Sequence, residues 1–427
     1  MKQKPKSHEA VWGIAGMPDI LPRNQAYWRQ LLETGKAVSE LHDFNFMGLS
    51  AVERYEIFEN AFGSDRDVLE RELFPLKAGK MKAALRFSFR ESVLRSFIDN
   101  KLAYFAYPLK VFYFGPVFRD VQTDEYFLRQ FHQFGFQVIG EADPIYDGEV
   151  IIALYDFFKS LRLANVVLKI GSSGCHTCHG IFKHKLQNYY RGRLKDVCKT
   201  CARNFEINPF LLLSCNEEKC KAIRLEGPII FDYLCQSCNN HLKSVLELVE
   251  DNGIPYEPDP NMVSTGDLNN RTTFEFRTPE MPYPLAFGCR YDYLSEAVFK
   301  RQIPAVGANV GVERVMEAMK RQNVEPRFKS KPKVFFLVIG DQAKKGALKL
   351  MNKLRLSGVA VVEMVGKKTL KAQIKTAERM GIKLALLLGQ KEVFDGTVIL
   401  RDMTSGIQET ILVDKLVEEV KKRLNNE

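Results

Sequence analysis

Four close cysteine pairs, Cys175-x2-Cys178, Cys198-x2-Cys201, Cys215-x4-Cys220 and Cys235-x2-Cys238, restrict the fold of this chain more than any other feature. Paired thiolates on tight turns let a short segment hold a metal without a large core of its own, and eight of them supply two tetrahedral four-cysteine zinc sites. A closed four-ligand site has no open position, so the expected zinc is structural. The spacing does not say which pairs share an ion. The alternative is disulfide bonding, but the start of the chain, "MKQKPKSHEAVWGIAGMPDILP", lacks the apolar centre of a signal peptide and no long apolar run follows. That predicts a cytoplasmic protein with no membrane partner, where metal ligation is favoured over disulfides. His176, His179 and His184 are expected at the surface or facing nucleic acid, and Cys289, outside the block, as a packed thiol.

The chain has 427 residues, enough for two or three cores, and Lys plus Arg exceed Asp plus Glu by 62 to 52. The resulting charge of +10 favours a polyanionic partner without specifying one. Trp28, Leu31, Leu32, Val38 and Leu41 recur at helical spacing, and "RESVLRSFIDNKL" reads as a second helix after the strand "ALRFSF". Residues 321–333 are basic and proline-containing and read as a linker. Beyond them strand-like and helix-like segments alternate, predicting a compact α/β domain with a largely parallel sheet.

Between these regions "KVFYFGPVFRD" and "FLRQFHQFGFQVIG" alternate as an antiparallel pair. Period two puts Arg129, Phe131, Gln133, Gly135 and Gln137 on one face, and Arg119 ends the preceding strand. A guanidinium beside a glycine-lined, amide-bearing surface suits a phosphate and a small polar ligand, although a solvated sheet face fits the same pattern. A later small-residue strand through Gly307 and Gly311 leads into a helix carrying Glu313 and Arg314, which lets a planar ligand approach the backbone closely.

Together "GPVFRD" and "GVER" resemble motifs 2 and 3 of class II aminoacyl-tRNA synthetases, and "LRQFHQFGFQVIG", "GCRYDYL" and "PAVGANVGVER" are similar to the histidyl-tRNA synthetase family. The resemblance extends from "GMPDILP" through "NRTTFEF" to a C-terminal segment like the family's anticodon-binding domain. It implies an α+β fold: an antiparallel class II sheet with flanking helices (1–170 and 251–320), a cysteine-rich insertion (171–250) and the anticodon-binding domain (334–427). It also implies a homodimer that activates histidine with ATP and Mg2+ and charges tRNA. The implied catalytic residues are Arg119, Gln133 and Arg314. The nucleotide falls to Arg119, Arg129, Gly311, Glu313 and Arg314, and the amino acid to Ser88, Gln133, Gln137, Ser264, Asn269, Arg290 and Tyr291.

Several of these positions depart from the family pattern. The Arg-Pro-Glu-Gly-Thr stretch is here "RFSFR", with Ser88 in place of the carboxylate. Val121 replaces the glutamate of motif 2, Gln137 a second pocket carboxylate, Ser264 an arginine, and Leu268 and Asn269 two tyrosines. Removing one preorganised donor costs about 2.7 to 4 kcal/mol in such chemistry. Three readings follow: histidine charging, a non-catalytic paralogue that binds tRNA or a small ligand as a regulator, and a changed small substrate. Lys367, Lys368, Lys371 and Lys375, with Arg191, Arg193, Lys195 and Lys199 in the cysteine block, form two basic regions suited to a long polyanion, or else ordinary solvated faces.

Overall fold

The computed structural model describes residues 13–62, 69, 71–105, 107–206, 208–264, 266, 268–327, 334–363 and 369–425. The chain separates into two compact units, Met1–Arg327 and Phe328–Glu427. Strands of the first are β1 (Asn45–Phe46), β2 (Val52–Arg54), β3 (Pro75–Ala78), β4 (Met81–Leu85), β5 (Leu109–Phe118), β6 (Gln130–Ile139), β7 (Val167–Ser172), β8 (Tyr256–Pro258), β9 (Asn270–Arg277), β10 (Ala286–Arg290) and β11 (Ala305–Gly311). They form a sheet ordered β1-β5-β6-β11-β10-β9-β7-β8 and a small one ordered β2-β4-β3. The large sheet is antiparallel through its centre, and only its outermost pairs, β1 with β5 and β7 with β8, are parallel.

Alternation along β6 explains how this sheet is used. Phe134, Phe136 and Val138 point to one side, where helices Gln25–Leu41, Ile145–Ser160, Gln236–Asp251 and Val312–Arg321 supply Leu31, Val150, Phe157, Val245 and Val315 to one core. Phe131, Gln133, Gly135 and Gln137 point to the other. There helix Phe89–Asp99 covers part of the sheet with Phe89, Val93, Leu94 and Phe97, and the rest stays polar. This helix begins at Ser88 in extended backbone, with Glu91 at its third position, the Ser-x-x-Glu pattern of a helix start.

The cysteine-rich insertion packs around Phe182, Leu186, Tyr190, Phe205 and Phe210. Residues 322–327, read in the sequence as linker, belong to the first unit: the Gln322 amide bonds Ala164, Thr278 and Glu280, and the Arg327 N–H donates to Gln30 Oε1.

In the second unit β12 (Val334–Val338), β13 (Val361–Glu363), β14 (Leu384–Leu388), β15 (Thr397–Asp402) and β16 (Gln408–Leu412) are ordered β13-β12-β14-β15-β16. The largely parallel sheet expected here is mixed: β13, β12 and β14 are parallel, whereas β14, β15 and β16 are antiparallel. For β15 and β16 the reason is local. Asp402 Oδ1 accepts the N–H groups of Thr404 and Ser405, and Gly406 takes a left-handed φ of 76°, so the chain reverses in a tight hairpin that a parallel connection would not allow.

Candidate functional site

Register brings the separate motifs together. Gln133 of β6 lies opposite both Gly115 of β5 and Gly311 of β11, and Gln137 lies opposite Val111 and Gly307. A Cβ on Gly307 would overlap the Gln137 amide, and one on Gly135 would meet the Tyr113 hydroxyl at 2.5 Å, so glycine at these two positions lets polar side chains lie flat on the sheet.

At one end of this face is a cavity of about 470 Å3 lined by Glu72, Arg119, Val121, Tyr126, Phe127, Leu128, Phe131, Glu275, Pro284, Phe287, Gly311, Glu313 and Arg314. Arg119 lies over the rings of Phe87 and Phe131, at 4.3 and 5.7 Å, and its Nε is buried without a hydrogen-bond partner among the described residues. Burial in this apolar setting lowers its pKa. Arg314 lies over Tyr283 and Phe127 and donates to the Pro284 carbonyl, and burial lowers its pKa as well. Two guanidiniums thus converge on aromatic walls, an arrangement suited to a phosphate and a planar base.

Other expected nucleotide residues are placed differently. Glu313 borders the cavity, but its carboxylate accepts the His132 N–H through both oxygens at 3.0 Å and meets His132 Nδ1 at 2.9 Å, tying the helix start to β6. Arg129 is absent from the cavity wall; its Nε donates to the Val121 carbonyl and pairs with Asp120. Glu72, Tyr283 and Phe287 were missed in the sequence because they lie on separate segments that carry no motif, and Phe127 because the polar face was counted only from Arg129 onward.

The other end of the face is narrower and hydrogen-bonded to itself. Gln137 is fully buried, donating to Tyr113 Oη at 2.8 Å and accepting from the Tyr291 hydroxyl, while Tyr113 donates to Asn309 Oδ1. Gln133, 7% exposed, has its Oε1 buried without a hydrogen-bond partner among the described residues. Ser88 donates to Glu91, and Asn269 donates to Ser264 Oγ at 2.8 Å. Arg90, not expected in the site, crosses from the helix start to Asn269 Oδ1 at 2.9 Å.

Arg290 was expected in the amino-acid pocket. Its side chain is fully buried away from that surface, paired with Asp147 and Asp292 and donating to the carbonyls of Glu141 and Asp143. Burial by itself would raise the Asp147 carboxyl, but Arg290 outweighs it and holds the pKa down at about 2. Tyr291, the next residue, does reach the polar face, through Gln137.

The cysteines form two groups, Cys175, Cys178, Cys235 and Cys238, and Cys198, Cys201, Cys215 and Cys220, with the sulfurs of each within 4.8 Å of one another. Cys175 and Cys178 Sγ are 3.6 Å apart and Cys198 and Cys215 Sγ 3.9 Å apart, close to the edge of about 3.8 Å for a tetrahedron of Zn–S bonds. Backbone N–H groups of Cys235 and Cys198 donate to Cys178 and Cys220. The Cys201 N–H helps hold the Cys198 thiol down at about 7. Gly174, at φ 63°, admits the turn into the first pair, since a Cβ there would lie 2.5 Å from that of Cys178. These donor sets fit a tetrahedral, thiophilic cation. His179, expected at the surface, is buried and stacked on Phe210.

Lys371 and Lys375 are exposed on helix Leu370–Arg379, as are Arg191, Arg193, Lys195 and Lys199 in the insertion. Lys367 and Lys368 lie outside the described residues. Among the described residues no helix is long and apolar enough to cross a membrane.

The family model described as "Histidyl-tRNA synthetase" matches residues 16–196, and "Anticodon binding domain" matches 333–423. The chain is 32% identical to a histidine–tRNA ligase of Natranaerobius thermophilus, covering 95% of this chain and 98% of that protein. A histidine–tRNA ligase of Acetivibrio thermocellus is 33% identical with the same coverage. The crystal structure of apo S. aureus histidyl-tRNA synthetase superposes with a TM-score of 0.78 at 26% identity, over 96% of this chain and 100% of that one.

Proposed function

The chain belongs to the histidyl-tRNA synthetase family, and on that premise we propose that it binds ATP in the cavity between Arg119 and Arg314, activates the carboxylate of an amino acid, histidine in the family, and transfers it to tRNA. One observation carries this reading. Arg119 Nε and Gln133 Oε1 are both buried and without a hydrogen-bond partner among the described residues, a cationic donor on the cavity wall and a neutral acceptor on the strand position opposite Gly311, which lines the same cavity. An aminoacyl adenylate offers what each lacks: a phosphate for the guanidinium and an ammonium for the amide oxygen.

In the reaction the amino-acid carboxylate attacks the α-phosphorus and pyrophosphate leaves, so negative charge develops beside Arg119, which meets it already oriented. The base is assigned to the space between Phe131 and Arg314, with Gly311 allowing close approach. Glu72 and Glu275 line the same cavity, and their carboxylates would hold the Mg2+ that accompanies ATP. Zinc is assigned to the two cysteine groups, where it would hold the insertion together. Action on tRNA sets the compartment as cytoplasm. Exposed Phe46 on edge strand β1, with Tyr104 and Phe105 ahead of β5, supports a second copy of the chain as partner.

A second reading has its own support. Gln137, Ser264 and Asn269 carry no charge, and Gln137 has both ends of its amide engaged by tyrosines, which favours a paralogue that binds tRNA and nucleotide without charging. ATP–pyrophosphate exchange across a panel of amino acids, run beside ATP binding, separates the two. Exchange with histidine or another amino acid supports the ligase; ATP and tRNA binding with no exchange sinks it and leaves the paralogue.

A further inference from the structure

The inner end of the cleft, proposed above as the amino-acid subsite, already contains a cation that belongs to the chain. Arg90 sends Nη1 to Asn269 Oδ1 at 2.9 Å and to the Cys289 sulfur at 3.9 Å, and Nη2 to Glu91 Oε1 at 3.4 Å. Its guanidinium carbon is 5.6 Å from the centre of the Tyr291 ring, whose hydroxyl bonds Gln137. Glu91 is 1% exposed, and its other carboxylate oxygen takes the Ser88 hydroxyl.

We propose that Arg90 is a specificity-determining residue that competes with the ligand's side chain for the inner subsite, so that an imidazole-sized or cationic side chain must displace it and a very small one need not. The argument rests on the assignment of this cleft to an amino acid. A planar guanidinium has nearly the footprint of an imidazole, and here it has an amide acceptor on one nitrogen, a carboxylate near another and an aromatic ring beside it. Those are the contacts a protonatable planar side chain would seek. Arg90 also has a side chain 26% exposed, so it is not locked in the core as Arg290 is, whose side chain has no exposed surface. Glu91 explains why Arg90 stays: a carboxylate this buried needs a cation beside it.

Arg90→Thr tests this, with the melting temperature checking the fold and calorimetric titration of histidine, glycine and ATP as separate readouts. The expected result is histidine binding about tenfold tighter or more than in the unaltered protein, since one charge-assisted contact no longer has to be broken first, with the affinities for glycine and ATP unchanged within about twofold. Histidine affinity unchanged in a folded variant that still binds ATP overturns the proposal. If Arg90→Thr does not fold, Arg90→Gln keeps the stem, drops the charge and must move histidine affinity in the same direction; failure to do so overturns it equally. Loss of ATP binding in the unaltered protein would instead count against the nucleotide assignment of the cleft.

Discussion

A buried ion shows most directly how single residues fix this site. Arg290 and Asp147 have no exposed side-chain surface, and His241 Nε2 lies 3.2 Å from the same carboxylate. Replacing Arg290 by methionine leaves Asp147 charged in the core with its guanidinium partner gone and His241 beside it, which should cost about 3 to 5 kcal/mol in denaturant unfolding. Because the folded Asp147 pKa is depressed to about 2, its contribution is complete above the ordinary carboxyl value near 4 and is lost as pH falls from there toward 2. Stability measured against pH should therefore drop across that window, and Asp147→Asn should flatten the drop; an unchanged slope in the variant would argue that the pair does not govern it. The sequence offered no hint of this pairing. Arg290 lies in a recognisable motif, but its partner is 143 positions away in a helix with no marked pattern. The same limit hid Arg90. The strand expected to run through Phe89 ends at Leu85, with Ser88 starting the helix instead, and the direction a side chain takes across the sheet depends on what stands on the far side.

At the scale of elements, strand alternation was legible and its consequences largely followed. β5 and β6 lie where their period-two pattern put them, because one face must be apolar for the helices that cover it. The hairpin of β15 and β16 was not anticipated, since strand and helix segments alternate up to that point and the reversal depends on one aspartate and one glycine. The cysteine block behaves as an element too. If each group holds one ion, prolonged chelation or Cys220→Ser should loosen the second group and its surrounding core of Phe205 and Phe210, read as faster amide exchange over 198–224. Protection there that is indifferent to chelator would remove the structural role for metal.

For the whole molecule, charge is the property that matters. The surplus of +10 is carried in part by exposed lysines and arginines of the insertion and of helix Leu370–Arg379. If both regions contact tRNA, affinity must fall steeply and log-linearly with salt, with a slope that shrinks when Lys371 and Lys375 are both changed to alanine. Equal slopes for the two proteins would remove that helix from the interface.

Sequence by itself determined which residues can bind metal, which strand faces are polar, and that the chain resembles a family with a class II cleft. These follow from local spacing, from the two-residue period of a strand and from motifs a few residues long. Only the tertiary structure decided that the first cysteine pair joins the last and encloses the middle two, that Arg290 holds the core while Arg90 reaches across to Asn269, and that Gln137 is closed between two tyrosines. Each of those depends on which distant segment is brought alongside, a matter of packing and register that no local pattern encodes.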